Sequence, residues 1–109
     1  MRKIVLLITV CLAAGALAAR SADAKENWEK QCQKCHGVDG KGETAMGKKL
    51  KVKDYTDAKV QDSFKDEEAI KLTKEGKKEG DKNLMPGFAE KLSDQEIKDL
   101  VAYVRKFKK

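Results

Sequence analysis

Five consecutive residues constrain this chain more than any other part of it: Cys32-Gln33-Lys34-Cys35-His36. Two cysteines separated by two residues, with a histidine directly after the second, form the pattern of a covalent haem attachment site. Each thiol can form a thioether with one vinyl group of the porphyrin, and the short spacer places both sulfurs along one edge of the ring. The histidine can then bind the iron from one face. The chain is therefore expected to fold around a haem with one further axial position to fill.

Three other uses of the cysteine pair remain open: a disulfide, a zinc site and a dithiol redox centre. A thioredoxin-like pair belongs in a βαβ unit, and nothing downstream alternates as strands do. A tetrahedral zinc site needs four ligands, whereas the chain beyond its N-terminal segment offers only Cys32, Cys35 and His36 of the usual soft ligands. A carboxylate would have to supply the fourth, so haem c is the favoured cofactor.

The N-terminal segment has the composition of a secretory signal peptide. Two basic residues precede an almost unbroken apolar run over residues 4–19. This run is shorter than the roughly 20 residues that a membrane-spanning helix needs. A small-x-small sequence directly before Lys25 predicts cleavage there. We therefore expect residues 1–24 to be a signal peptide and residues 25–109 to form one domain.

Other interpretations of the N-terminal segment remain open. Cleavage after Ala18 is one alternative, and an uncleaved membrane anchor is another. Cys11 lies inside the apolar run without the small residues that precede a lipoprotein cysteine, so we expect it to leave with the signal peptide. The predicted location is the bacterial periplasm, the side of the membrane on which c-type haem is attached and disulfides also form.

The rest of the chain predicts an all-α domain, because helical periodicity recurs and no convincing strand alternation occurs. The helical segments are residues 25–34, 57–63 and 66–75 and the segment that follows Ser93. Residues 37–42, which hold three glycines, and the polar residues 77–83 are predicted loops. Trp28 precedes Cys32 by four residues, so the two share a helix face, and we expect Trp28 to pack in the core.

The last helix carries the clearest start signal. Ser93 is a predicted N-cap, and Glu96 can reach back to complete a capping box. Leu92 and Ile97 flank the box as a hydrophobic staple. Apolar residues then recur at the helical period from Ile97 to Phe107.

The second axial ligand is a choice among few groups. His36 is the only histidine in the chain, so two histidine ligands within one protomer are excluded. The candidates are Met85, Met46, a lysine or water. Met85 is favoured because Pro86 restricts its backbone to extended conformations and Gly87 permits an immediate turn. Met46 lacks such an anchor, and we expect it to pack near the haem or to be partly exposed.

Taken in order, these features resemble a small single-haem class I cytochrome c of bacteria. The resemblance rests on the N-terminal helix, the attachment motif with Gly37, the glycine-rich loop, Met85-Pro86, and a terminal helix with an aromatic residue at Tyr103. It covers essentially all of residues 25–109.

The resemblance implies three to five helices wrapped around one covalent haem c with one edge exposed. It implies thioethers at Cys32 and Cys35, and His36 and Met85 as the axial ligands of the haem iron. It also implies that the N-terminal and C-terminal helices cross near Tyr103.

One position departs from the pattern of many relatives. They have a proline after the attachment motif whose carbonyl accepts the N–H of the proximal histidine, whereas Pro86 is the only proline here. The acceptor is expected to be a backbone carbonyl between Thr44 and Lys49. Because such bonds orient a metal ligand and tune the metal, this departure bears on the redox potential more than on the fold.

The expected function is periplasmic one-electron transfer rather than enzymatic catalysis. A haem bound by histidine and methionine has no open coordination position, and methionine raises its potential. Contacts with protein redox partners would be small and transient. The alternatives are a haem-bearing subunit of a larger respiratory complex, and an open-site sensor or enzyme if Met85 does not bind iron.

The charge pattern excludes a nucleic-acid-binding role. The net charge of +6 comes from 24 basic and 18 acidic residues that are interleaved along the chain. A solvated surface is the simplest interpretation, and a basic docking face for an acidic redox partner is the alternative. After signal cleavage we expect no stable membrane insertion and a monomer.

Overall fold

The computed structural model describes residues 23–109, and the predicted signal peptide lies outside the described residues except for its last two positions. The chain first forms one helical run with three parts. These are α1 (Ala24–Asn27), a π-helical segment (Trp28–Cys32) and α2 (Gln33–His36). The later elements are helices α3 (Ala45–Leu50), α4 (Ala58–Asp62), α5 (Asp66–Glu75) and α6 (Asp94–Arg105), and strands β1 (Lys77–Glu79) and β2 (Lys82–Met85).

The N-terminal helical run begins at Asp23, whose side chain accepts a hydrogen bond from the Glu26 amide at 2.8 Å. A cap of this kind stabilises a helix by about 1 kcal/mol. Cleavage before Lys25 would remove this cap, whereas cleavage after Ala18 would keep it. The two predicted cleavage sites therefore differ in whether the mature helix retains its N-cap.

The helical run contains one wide turn that the sequence does not predict. The amide of Gln33 donates to the carbonyl of Trp28, five residues back, which is the π-helical pattern. Trp28 and Cys32 are 2 % and 9 % exposed, so both lie in the core. The prediction that Trp28 packs in the core is therefore confirmed.

Helix α6 crosses the N-terminal helical run. Ser93 accepts a hydrogen bond from the Glu96 amide, and the Glu96 carboxylate accepts one from the Ser93 amide, so the predicted capping box is present. The same carboxylate accepts a hydrogen bond from the Asn27 side chain at 2.9 Å. Tyr103 contacts Trp28 with ring centroids 5.7 Å apart. Opposite ends of the chain thus meet at the crossing that the resemblance implies.

The hydrophobic core is one cluster centred on this crossing. Its buried members are Trp28, Cys32, Phe88, Leu92, Ile97 and Leu100. Ile97 is fully buried and Leu92 nearly so, as expected of the predicted staple. Partly buried side chains, among them Tyr55, Ile70 and Met85, pack against the cluster.

The middle of the chain forms three short helices. Helices α4 and α5 lie close to the predicted segments 57–63 and 66–75, whereas α3 is not predicted from the sequence. The side chain of Asp57 caps α4, and α5 ends at Gly76, where φ is +80° as expected for a helix terminus. Arg105 of α6 binds the start of α5 and the residues just before it. Its guanidinium donates to the Asp66 carboxylate and to the Phe64 carbonyl, both at 2.8 Å.

The polar residues predicted as a loop form a short antiparallel hairpin instead. Lys77 lies opposite Met85, but Lys78 lies opposite Asn83, so the pairing is irregular and Leu84 is the extra residue of a β-bulge. All residues of β1 are exposed, which explains why no apolar alternation marks it in the sequence. The predicted all-α class is confirmed, with this hairpin as the only sheet among the described residues.

Candidate functional site

A cavity of about 400 Å³ lies beside the core. Cys32, Cys35 and His36 line it from the N-terminal helical run, and Met85 lines it from the end of β2. Apolar side chains supply much of the remaining wall, including Leu50, Val52, Phe64, Leu72, Leu100 and Val104. The four residues predicted to hold a haem therefore meet at one largely apolar space of a size that suits a small-molecule ligand.

The two cysteines are unbridged and lie in different surroundings. Cys32 is buried and Cys35 is half-buried. Burial, and then the neighbouring Cys35, raises the pKa of Cys32 to about 12, so its sulfur is a thiol at neutral pH. Gly37 ends α2 with φ at +81°, a conformation that glycine adopts at little cost. The chain can therefore turn away immediately after His36.

The His36 side chain is held by ring contacts, whereas its carbonyl accepts a hydrogen bond from the Gly42 amide at 2.8 Å. Its imidazole lies between Trp28 and Tyr55, with centroid distances of 5.6 Å and 5.3 Å. Burial lowers its pKa below 6.5, so the ring is neutral at pH 7, the form that binds a metal ion. Its Nδ1 is buried without a hydrogen-bond partner in the described part of the chain.

The expected carbonyl acceptor between Thr44 and Lys49 is therefore not found. Instead, a side chain of this segment contacts the backbone of the attachment motif. The Thr44 hydroxyl donates to the Cys35 carbonyl at 2.8 Å. The same hydroxyl accepts from the Gly47 amide at 2.8 Å and caps α3. Gly47 lies so close to the Cys35 carbonyl that a Cβ would have no room. The start of α3 thus fixes the Cys35 backbone and leaves the His36 ring unbonded.

The two methionines of the described chain occupy different positions. Met85 lines the cavity, and so does the preceding residue, Leu84, because the bulge at Leu84 allows two consecutive residues to face the same side. Regular pairing would send consecutive side chains to opposite faces. Met46 is half-buried in α3 and is not among the residues lining the cavity. Of the two predicted methionine candidates, only Met85 is placed at the site.

Tyr55 and Phe64 belong to the cavity wall, although neither residue lies in a sequence motif that predicts such a role. Their rings contact each other at 6.0 Å, and Tyr55 also contacts His36. The chain holds only one Trp, two Tyr and three Phe, and none of the six is fully exposed. That scarcity is the signal that could have indicated interior positions for both residues.

The donor set fits a haem. Two thiols, a neutral imidazole and a thioether sulfur beside an apolar cavity are the groups that attach and ligate haem c. Within residues 23–109 no cluster of three or more His, Cys, Asp and Glu side chains is arranged for a metal ion. An all-α domain with such a cavity and a Cys-x-x-Cys-His segment has the features of a c-type cytochrome.

Comparison with known proteins agrees with this class. Residues 19–104 match the family model described as "Cytochrome C oxidase, cbb3-type, subunit III". The solved structure of "KustC0563 c-type cytochrome" is 38 % identical with a TM-score of 0.71, and the match covers 81 % of this chain and 100 % of that chain. A tyrosine-to-phenylalanine mutant of KustC0563 is also 38 % identical, with a TM-score of 0.69 and coverages of 80 % and 100 %. No curated protein matches.

The chain belongs to the family that this model describes and is a small class I c-type cytochrome. Its cofactor is haem c, bound covalently, and its role is haem-based electron transfer.

Proposed function

We propose that this protein is a periplasmic one-electron carrier whose haem iron has histidine and methionine as its axial ligands. The observation that carries the proposal is the meeting of Cys32, Cys35, His36 and Met85 at one apolar cavity. Three of these residues lie in consecutive turns of one helical run, and the fourth comes from a hairpin far along the chain. Local sequence alone does not bring them together, so the fold is organised around this space.

Each of the four residues has a distinct role in this proposal. Cys32 and Cys35 would hold the haem through two thioethers, each formed by adding one S–H group across one vinyl group without net oxidation. His36 would bind the iron through Nε2, because its Nδ1 is buried in protein. Met85 would supply the second ligand of the iron. The bound haem supplies reversible one-electron exchange at iron.

The ligand pair favours a carrier over an enzyme. With both axial positions taken, no substrate can reach the metal, and methionine sulfur favours the reduced state and raises the potential. The apolar wall excludes water from most of the ring, which the protein contributes in addition to binding and orientation. No open position for catalysis remains while Met85 is bound.

Basic side chains at the rim of the cavity support an acidic redox partner. Lys51, Lys53 and Lys77 are exposed and line the cavity, against one exposed acidic residue there, Glu68. A positive rim accelerates encounter with a negative surface and makes the rate fall with ionic strength. Small, short-lived contacts of this kind suit a carrier that alternates between donor and acceptor.

The periplasmic location rests on the predicted signal peptide. Among the described residues, none of the helices is long and apolar enough to cross a bilayer. Covalent haem attachment also belongs to an exported c-type cytochrome. Intact-mass measurement of the exported protein would give the mature N-terminus and distinguish cleavage before Lys25 from cleavage after Ala18.

A haem-bearing subunit of a larger oxidase is the second candidate function. It is favoured by the description of the matching family model, which names subunit III of a cbb3-type oxidase. The free carrier is favoured by the exposed lysines at the rim of the cavity, which suit transient docking. Fractionation of native cells distinguishes the two. A carrier is released with the periplasm without detergent and elutes as a small protein, whereas a subunit of a membrane-bound oxidase stays with the membranes and elutes within a large assembly only after detergent extraction.

The test of the ligand set is the absorption spectrum of the haem-loaded protein and of Met85→Ala. The wild type should show sharp low-spin ferrous bands and the weak ferric band of an iron–methionine bond. Met85→Ala should lose that band, become high-spin and bind carbon monoxide, with the haem still covalent. Met46→Ala is the matched control and should retain the wild-type spectrum. An unchanged spectrum in Met85→Ala would assign the ligand role to another residue.

A further inference from the structure

The segment that carries Met85 touches the end of α5 through two glycines. A Cβ on Gly76 would lie 2.5 Å from the Met85 carbonyl oxygen and 2.6 Å from the Gly87 nitrogen. A Cβ on Gly87 would lie 2.6 Å from the Lys74 carbonyl oxygen and 2.8 Å from the Glu75 carbonyl carbon. Real Cβ atoms do not approach backbone this closely. The two backbones therefore cross in direct contact, which only glycine at both positions permits.

Hydrogen bonds from the residues that follow Gly87 hold the same crossing. The amides of Phe88 and Ala89 donate to the carbonyls of Thr73 and Lys74, at 2.9 Å and 3.2 Å. These carbonyls belong to the last turn of α5, whose acceptors would otherwise lack partners. The residues after Met85 thus complete the end of the helix.

On the N-terminal side of the crossing, the hairpin of β1 and β2 holds Met85. It pairs with Lys77, two residues beyond the end of α5, and the bulge at Leu84 directs Met85 toward the cavity. Bulges of this kind re-aim a side chain beside a functional site. The ligand segment is therefore fixed to α5 on both sides of Met85.

We propose that this glycine crossing sets the position of Met85 at the iron, and that Gly87 is a positioning residue for the sixth ligand. The proposal rests on the proposed ligation by Met85. Ala69 and Thr73 of α5 line the cavity, so α5 is part of its wall, and the separation between the α5 and Met85 backbones sets how far Met85 reaches into the cavity. An added methyl group at Gly87 separates the two backbones and moves the sulfur from the iron.

Exogenous imidazole measures how firmly Met85 holds its position, because imidazole must displace the methionine from ferric iron. The experiment compares imidazole binding to haem-loaded wild type, Gly87→Ala and Gly80→Ala. Gly87 has no positive φ, so its substitution tests space alone. Gly80 has φ at +60° and nothing within 4 Å, so Gly80→Ala strains the backbone of the same hairpin without filling the crossing, and it controls for a general loss of hairpin stability.

The expected result is imidazole binding at least about tenfold tighter in Gly87→Ala. Its iron–methionine band should weaken, while covalent haem and far-UV circular dichroism are retained. Gly80→Ala should bind imidazole as the wild type does. Wild-type binding by a folded Gly87→Ala would overturn the proposal.

A second variant keeps the test decisive if Gly87→Ala does not fold. Ala89→Pro removes one amide donor to the end of α5 at an exposed position. It should also bind imidazole more tightly than the wild type, and equal binding would overturn the proposal. Met85→Ala separates this inference from the proposed function. If its ferric spectrum matches the wild type, the proposed ligation fails; if it opens the iron while Gly87→Ala behaves as wild type, only the positioning role fails.

Discussion

At the scale of single residues, Thr44 connects the attachment motif to helix α3 by hydrogen bonds. Its hydroxyl donates to the Cys35 carbonyl and accepts from the Gly47 amide. We expect Thr44→Val to lower the free energy of unfolding by about 1–2 kcal/mol, because a cap and a part-buried hydrogen bond are both lost. Thermal unfolding of the haem-loaded protein checks this. Thr44→Ser keeps the hydroxyl and should restore most of the loss; equal melting of all three proteins would contradict it.

Tyr55 predicts a dependence of stability on alkaline pH. Burial, and to a lesser extent the nearby Cys32, raises the pKa of its phenol above 10.0. The folded state therefore favours the protonated phenol, and this contribution is complete below the pKa of the unfolded chain. It is lost as the pH rises from about 10 toward the higher pKa of the folded state.

The measurement is chemical unfolding of the haem-loaded wild type and Tyr55→Phe between pH about 8 and about 11. The wild type should lose stability more steeply than Tyr55→Phe above pH 10, because phenylalanine does not titrate. Parallel curves for the two proteins would show that Tyr55 does not contribute.

At the scale of elements, α6 depends on Glu96 more than on its N-cap. Ser93→Ala removes one capping bond and should cost about 1 kcal/mol. Glu96→Ala removes the reciprocal bond and also the acceptor for Asn27, which is 4 % exposed. We expect a cost of about 2 kcal/mol, since a buried donor loses a partner. Urea unfolding of both variants checks the order, and a larger loss in Ser93→Ala would contradict it.

The same elements show which parts of the fold the sequence can predict. α6 is predictable because its cap, staple and apolar period are all local signals, and α5 because Gly76 marks its end. The hairpin is not predictable from local pattern, because β1 is wholly exposed and its strands are held by the crossing with α5. The wide turn at Trp28 has no local signal either, since its residues would also suit a regular helix.

The residues of the candidate site also differ in how far the sequence predicts them. Cys32, Cys35 and His36 are adjacent in sequence, so their motif is sufficient to predict them. Met85 is predictable only by elimination and by its proline. Tyr55 is missed because its role depends on a contact with His36 that the fold creates.

At the scale of the whole molecule, the haem is expected to be part of the core. Trp28, Phe88 and Leu100 belong both to the core cluster and to the cavity wall. Without haem these side chains would line a cleft of about 400 Å³ that is open to water, so much of the apolar burial that stabilises the domain would be missing.

We therefore expect the double variant Cys32→Ala/Cys35→Ala, stripped of haem by acid–solvent extraction, to lose most of its helical circular dichroism and to become sensitive to trypsin. The wild type should keep its haem through the same extraction. Retention of cooperative unfolding in the stripped variant would show that the polypeptide folds without its cofactor.

The burial of Cys32 also bears on the order of haem attachment and folding. Leu100 of α6 belongs to the cluster that buries this cysteine, and α6 lies far beyond Cys32 in the sequence. In the folded protein the thiol is screened and its pKa is about 12, whereas thioether formation needs an accessible and reactive sulfur. We therefore expect the chain to receive its haem while it is still extended, before the C-terminal helix closes over the first cysteine.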